Sequence, residues 1–183
     1  MRSEGVSVAN WMIDIEALGT RSGSVILSIG LVRFDGDGLH EARYLTIDVL
    51  SSLFAGCTID RETVAWWASQ SPEAKHLISK QESTLESALG MLDSLIKKVD
   101  LVWAKGPDFD LALLRDAYRK LGRKPPWPGR SARCVRTLLE IGRLYDAEVA
   151  FPRIGIRHFA LDDAKRQALQ VIAVYKAMGK PLV

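Results

Sequence analysis

The stretch NWMIDIEALGTRSG, Asn10 to Gly23, constrains the fold of this chain more than any other. Trp11, Met12, Ile13 and Ile15 read as a strand in the middle of a hydrophobic core. Asp14 and Glu16 stand two apart within it, and the period of two along a strand puts both carboxylates on one side. Like charges side by side in a low-dielectric setting repel and are poorly solvated. A chain that buries this strand must bring something to those carboxylates from elsewhere.

The rest of the chain supplies a mixed pattern. Apolar, β-branched runs at Val6–Ile15, Val25–Phe34 and Arg43–Val49, with DGDG (Asp35–Gly38) between the second and third, predict an antiparallel meander of three strands. Helical patterning follows. Asp60 is placed to cap RETVAWWASQ, Ser71-Pro72 opens a short helix, and Ser83-x-x-Glu86 is a capping box before Leu85, Leu89, Leu92 and Ile96. LVWAK (Leu101–Lys105) suits a buried strand, and a helix runs from near Asp110 to about Leu121. GRKPPWPGR must be a loop, because its prolines forbid regular structure. A short strand at Ser131–Val135, a helix from Arg136 and a last helix from near His158 complete the order. The final helix carries a stripe of Leu161, Ala164, Ala168, Val171 and Tyr175 and ends before Gly179 and Pro181. This order predicts one α/β domain over residues 1–183, with a mixed sheet flanked by helices on both faces.

Further acids fall at element ends. Asp110, in GPDFDLALL, lies on the apolar stripe of its helix with Leu114, Ala117 and Leu121, where capping alone does not require an acid. RHFALDDAKRQ offers His158 and the pair Asp162-Asp163 at another helix start. Singly each is a common surface feature. Together they are hard oxygen ligands at the element ends where sites of α/β sheets collect, and a divalent cation would neutralise their repulsion. With Cys57 and Cys134 as the only cysteines, no cluster suits structural zinc, and a cytosolic setting is expected.

Taken in order, DIEALGT, GPDFD and HFALDD resemble the three motifs of the DnaQ-like DEDDh 3′–5′ exonucleases, which have a ribonuclease H-like fold. MIDIEALGT, SVILSIGLVRFD and TIDRETVAWWASQSPEA are similar to a phage and prophage branch that includes exonuclease VIII-like and exoribonuclease-like domains. The resemblance implies that Asp14, Glu16, Asp110 and Asp163 hold two Mg²⁺ or Mn²⁺ ions and that His158 is the general base; an imidazole, with an ordinary pKa near 6.5, accepts a proton at neutral pH. It implies hydrolysis of the terminal phosphodiester at 3′ ends of single-stranded DNA or RNA. Ala17, Leu18, Gly19 and Thr20, with Trp67 and Phe109, would meet the terminal nucleotide. Where many members carry asparagine four residues before the second-motif acid, this chain has Gly106.

Trp66 and Trp67 are both candidates for base stacking. They diverge on a helix, so one is expected in the core and the other partly exposed near the site. Arg133 and Arg136 are the expected substrate-side cations of the basic stretch 119–136. A net charge of +3 permits a nucleic-acid partner without demanding one. No run reaches the length of a membrane span, and a homodimer is left open. The competing expectations are a non-catalytic nucleic-acid-binding module on the same fold and a structural domain whose acids bind a stabilising ion.

Overall fold

In the computed structural model, which describes residues 8–147 and 155–182, the acid-bearing strand β1 (Asn10–Ala17) is the middle of a five-stranded sheet. β2 (Ile26–Asp35) and β3 (Gly38–Thr46) extend it antiparallel on one side. β4 (Leu101–Ala104) and β5 (Ala132–Cys134) extend it parallel on the other, giving the order β3-β2-β1-β4-β5. The expected mixed sheet is present. The first two residues of the expected Val6–Ile15 strand lie outside the described residues.

Alternation along β1 divides the core. Trp11, Ile13, Ile15 and Ala17 face one cluster, built with Leu85, Leu89 and Leu92 of α4 (Leu85–Leu95) and Leu111, Leu114 and Tyr118 of α5 (Asp110–Lys120). Met12 faces the other, built with Val135 and Leu138 of α6 (Val135–Leu144) and Ala164, Ala168 and Val171 of α7 (Ala160–Ala177). Asp14 and Glu16 follow Met12 by the period of two, so both carboxylates look toward α7. Asp14 pairs with Gly30 of β2. A Cβ on Gly30 would lie 2.2 Å from the carbonyl oxygen of Ala160, so the bare glycine lets the first turn of α7 rest directly on the sheet.

Boundaries differ from expectation for local reasons. β3 starts at Gly38, immediately after the Asp35 turn, and not at Arg43; its first half is a half-exposed edge whose polar residues hide the strand pattern. Val49 is helical, not strand, because the Asp48 carboxylate accepts from Leu50 N and Ser51 N and starts α1 (Val49–Phe54). Thr84, not Ser83, caps α4, since the backbone of Ser83 is bonded to Thr46 O and Asp48 N. The caps at Asp60 and Ser71 open α2 (Arg61–Ala68) and α3 (Pro72–Ile78) as expected. Among the described residues no helix is long and apolar enough to cross a membrane, and Cys57 and Cys134 are both free.

Candidate active site

Three elements deliver the acids to one place. β1 presents Asp14 and Glu16, the start of α5 presents Asp110, and the first turn of α7 presents Asp163. One carboxylate oxygen from each of Asp14, Glu16 and Asp163 lies within 4.8 Å of the others. Asp110 stands outside that trio but lines the same cavity of about 330 Å³, with its Oδ1 accepting from the Ile15 N–H at 3.2 Å. His158 lines it too. The last helix, expected from near His158, begins at Ala160, so the histidine stands in the turn before it with a left-handed φ of 60°.

Electrostatics separate these acids from a structural one. Asp100 is fully buried yet accepts from Ala9 N, Trp11 Nε1 and Lys97 N, so its charge is satisfied. Glu16 is also buried, and its carboxylate accepts no hydrogen bond from the described residues. Burial first, then the charges of Asp163 and Asp110, push its carboxyl up to about 8. Burial, then Asp110 and Glu16, hold Asp14 well above the ordinary range against one opposing hydrogen bond from Gln167. Asp110 is raised to about 7 by burial, against the hydrogen bond from Ile15 N. Oxygen ligands that repel one another, with one donor each on Asp14 and Asp110 and none on the Glu16 carboxylate, fit a hard divalent cation, which offsets the repulsion.

A second cavity, of about 480 Å³, adjoins the first. Ile15, Glu16 and Phe109 line both, and Ala17, Gly19, Thr20 and Trp67 line the second. Five of the six expected substrate residues therefore gather here. Leu18 does not; its side chain packs inward with Leu27 and Trp67. The two tryptophans divide as expected. Trp67 is 4 % exposed and donates its indole N–H to Ala17 O at 2.9 Å. Trp66 is 41 % exposed, with its ring 4.8 Å from that of His158, so the accessible indole face is that of Trp66 and not of Trp67, the tryptophan expected to meet the nucleotide.

Gln167, Arg166, Lys105 and Arg157 had no place among the expected residues. Gln167 donates to Asp14, and Arg166 pairs with Asp163 at 2.6 Å. Lys105, Arg136 and Arg157 also line the carboxylate cavity. Of the two expected cations, Arg136 is there, whereas Arg133 turns to the carbonyls of Arg130 and Ala132. Gln167 carries a faint sequence signal: it follows Asp163 by four residues, on the face that buries Ala160, Ala164 and Val171.

Residues 9–175 match the 3′–5′ exoribonuclease Rv2179c-like domain. No curated protein sequence matches the chain significantly. Among solved structures, exonuclease I from Methylocaldum szegediense superposes with a TM-score of 0.70 at 14 % identity, over 95 % of this chain and 42 % of its own. The chain thus spans about two fifths of that protein. Exonuclease X in complex with 5′ overhanging duplex DNA has a TM-score of 0.58 at 16 % identity, covering 94 % of this chain and 95 % of its own. The nuclease domain of 3′hExo, a DEDDh family member bound to rAMP, has a TM-score of 0.61 at 12 % identity, covering 95 % and 94 %. These likenesses identify the fold as that of the DEDDh exonucleases.

Proposed function

The chain belongs to the 3′–5′ exoribonuclease Rv2179c-like domain family, a 3′–5′ exonuclease of the DnaQ-like DEDDh superfamily, and on that premise we propose that it removes mononucleotides from the 3′ end of single-stranded RNA or DNA. The observation that carries this reading is the trio of Asp14, Glu16 and Asp163, two of them raised by burial and mutual charge, beside His158 at the junction of two cavities.

Asp14, Glu16, Asp110 and Asp163 would hold two Mg²⁺ or Mn²⁺ ions, which when bound supply activation of the attacking water and neutralisation of charge at the phosphate. His158 takes the proton of the attacking water as general base. The edge of Trp66 limits where its imidazole can swing. The terminal nucleoside occupies the second cavity, where its base meets Trp66 and Phe109 and its sugar meets the backbone of Ala17–Thr20. The scissile bond then lies at Glu16, which both cavities share. A cytosolic setting goes with two free cysteines, and the domain reading extends over residues 1–183.

The test is release of nucleoside monophosphates from 3′-labelled single-stranded RNA and DNA, with Mg²⁺, Mn²⁺ or EDTA, beside Asp14→Ala and His158→Ala. We expect metal-dependent shortening from the 3′ end, lost in Asp14→Ala. His158→Ala should lower turnover about 10²–10⁴-fold with Mn²⁺ affinity near that of the unaltered protein. Metal binding without release from either strand would overturn the enzymatic reading in favour of a binding module.

A further inference from the structure

A Cβ on Gly106 would lie 3.0 Å from Nη1 of Arg136, 3.5 Å from its Cζ and 3.2 Å from Oδ1 of Asp108. The guanidinium thus fills the space that a side chain at position 106 would take, on the rim of the carboxylate cavity just past β4. The Arg136 guanidinium makes no hydrogen bond or ion pair with the described residues; its charge is felt at Asp110, which it pulls down. Lys105 faces the same space, lowered by burial and by the charges of Arg166 and Arg136. Of these three cations only Arg166 has a carboxylate partner within ion-pair distance, Asp163. Arg136 also lies in the first turn of α6, where the helix dipole disfavours a cation and no acid offsets it. An anion entering between Lys105 and Arg136 relieves each of these repulsions.

Resting on the exonuclease reading above, we propose that Arg136 and Lys105 hold the phosphate one nucleotide 5′ of the scissile phosphodiester. The terminal nucleoside and scissile bond take up the Trp66 cavity and the carboxylates. Lys105, Gly106 and Arg136 line the carboxylate cavity but not the Trp66 cavity, so the remaining strand leaves past them. A guanidinium suits this role because its planar fork binds phosphate through two parallel N–H bonds. The preferred substrate is therefore an oligonucleotide ending in two phosphorylated nucleotides, rather than an ester of a single nucleotide.

The test compares kcat/KM on a 5′-phosphorylated dinucleotide with kcat/KM on the p-nitrophenyl ester of a nucleoside 5′-monophosphate, which has a scissile phosphate and no upstream one. Unaltered protein, Arg136→Ala, Arg136→Lys and Arg133→Ala are measured with Mn²⁺. In parallel, fluorescence anisotropy reads binding of a single-stranded oligonucleotide in EDTA over a range of salt. We expect Arg136→Ala to lower the dinucleotide-to-ester ratio about ten-fold, mainly through KM, and to reduce the salt slope of binding by about one. Arg136→Lys should recover part of the loss, and Arg133→Ala should change neither readout. Equal losses on both substrates, or unaltered oligonucleotide binding by Arg136→Ala, would overturn the proposal. If the unaltered protein hydrolyses neither substrate, the exonuclease reading fails, and the anisotropy series alone upholds or overturns the phosphate contact.

Discussion

Nε2 of Gln167 donates to Oδ1 of Asp14 across 2.6 Å, joining two residues 153 positions apart. This is the one hydrogen bond the Asp14 carboxylate accepts among the described residues, and it acts against burial to favour the charged carboxylate. A metal ligand must be ionised, so the amide should assist metal binding. Gln167→Met keeps the length of the side chain and removes the donor. Its Mn²⁺ affinity, measured by titration calorimetry, should fall by about 10–100-fold with modest loss of thermal stability. An unchanged affinity would mean that Gln167 only fills space under the sheet.

The raised carboxyls predict how stability follows pH. Unfolded, Glu16 loses its proton near its ordinary 4.5; folded and metal-free, it keeps the proton to about 8. Between those values the folded chain binds more protons than the unfolded one, so this contribution to stability declines as pH rises and is gone above about 8. Asp110, raised to about 7, acts in the same sense over a slightly lower window. The melting temperature in EDTA should therefore fall more steeply from pH 5 to 8 for the unaltered protein than for Glu16→Gln. Mn²⁺ should restore more stability at pH 8 than at pH 5.5, because at the lower pH it must first displace protons. Parallel slopes for the two proteins in EDTA would contradict the raised carboxyl.

Legibility in the sequence tracked local chemistry. Asp14, Glu16 and Asp110 stood out because an acid inside an apolar strand, or on the apolar stripe of a helix, breaks a pattern that neighbouring residues establish; His158 and Asp163 stood out only through the likeness of HFALDD to the third exonuclease motif. The sheet was readable from local pattern, its strands being apolar runs bounded by turn residues. Helix α1 was hidden because VLSSLF is a single short turn and a half behind β3, and its cap, Asp48, reads as part of the strand. Gln167 was harder, because its role depends on α7 crossing β1, a packing fact with no local signature. Arg133 and Arg136 were equally plausible from the sequence, and only the start of α6 beside Gly106 separates them.

The two neighbouring tryptophans should respond in opposite ways. Trp67 is buried, with its indole N–H on Ala17 O. Trp67→Ala leaves a cavity and an unpaired carbonyl, at a cost of about 3–5 kcal/mol, seen as a large fall in melting temperature. Trp66 keeps an open face beside His158. Trp66→Ala should leave the melting temperature nearly unchanged and weaken single-strand binding by the roughly 1–3 kcal/mol of one stacked base. Full binding by Trp66→Ala in an anisotropy titration would remove Trp66 from the substrate path.

Gly30 bears on the site without touching it. Its Cα faces Ala160 and Leu161 so closely that a Cβ would lie 2.2 Å from Ala160 O and 2.5 Å from Leu161 N. These are backbone atoms in the first turn of α7 and cannot swing aside as a side chain would. Gly30→Ala must therefore push the start of α7 off the sheet, carrying Asp163 away from Asp14, which pairs with Gly30 across the ladder. Overpacking of this kind costs about 1–3 kcal/mol, so stability alone does not separate a displaced site from a loosened core. Gly142→Ala supplies the comparison: its Cβ would meet Val174 Cγ1 at 3.0 Å and Ala147 O at 3.3 Å, well along α7 from the carboxylates. At matched loss of melting temperature, Gly30→Ala should lose Mn²⁺ affinity by ten-fold or more, while Gly142→Ala retains it. Equal Mn²⁺ affinities in the two variants would mean that the start of α7 adapts to the added methyl without moving Asp163.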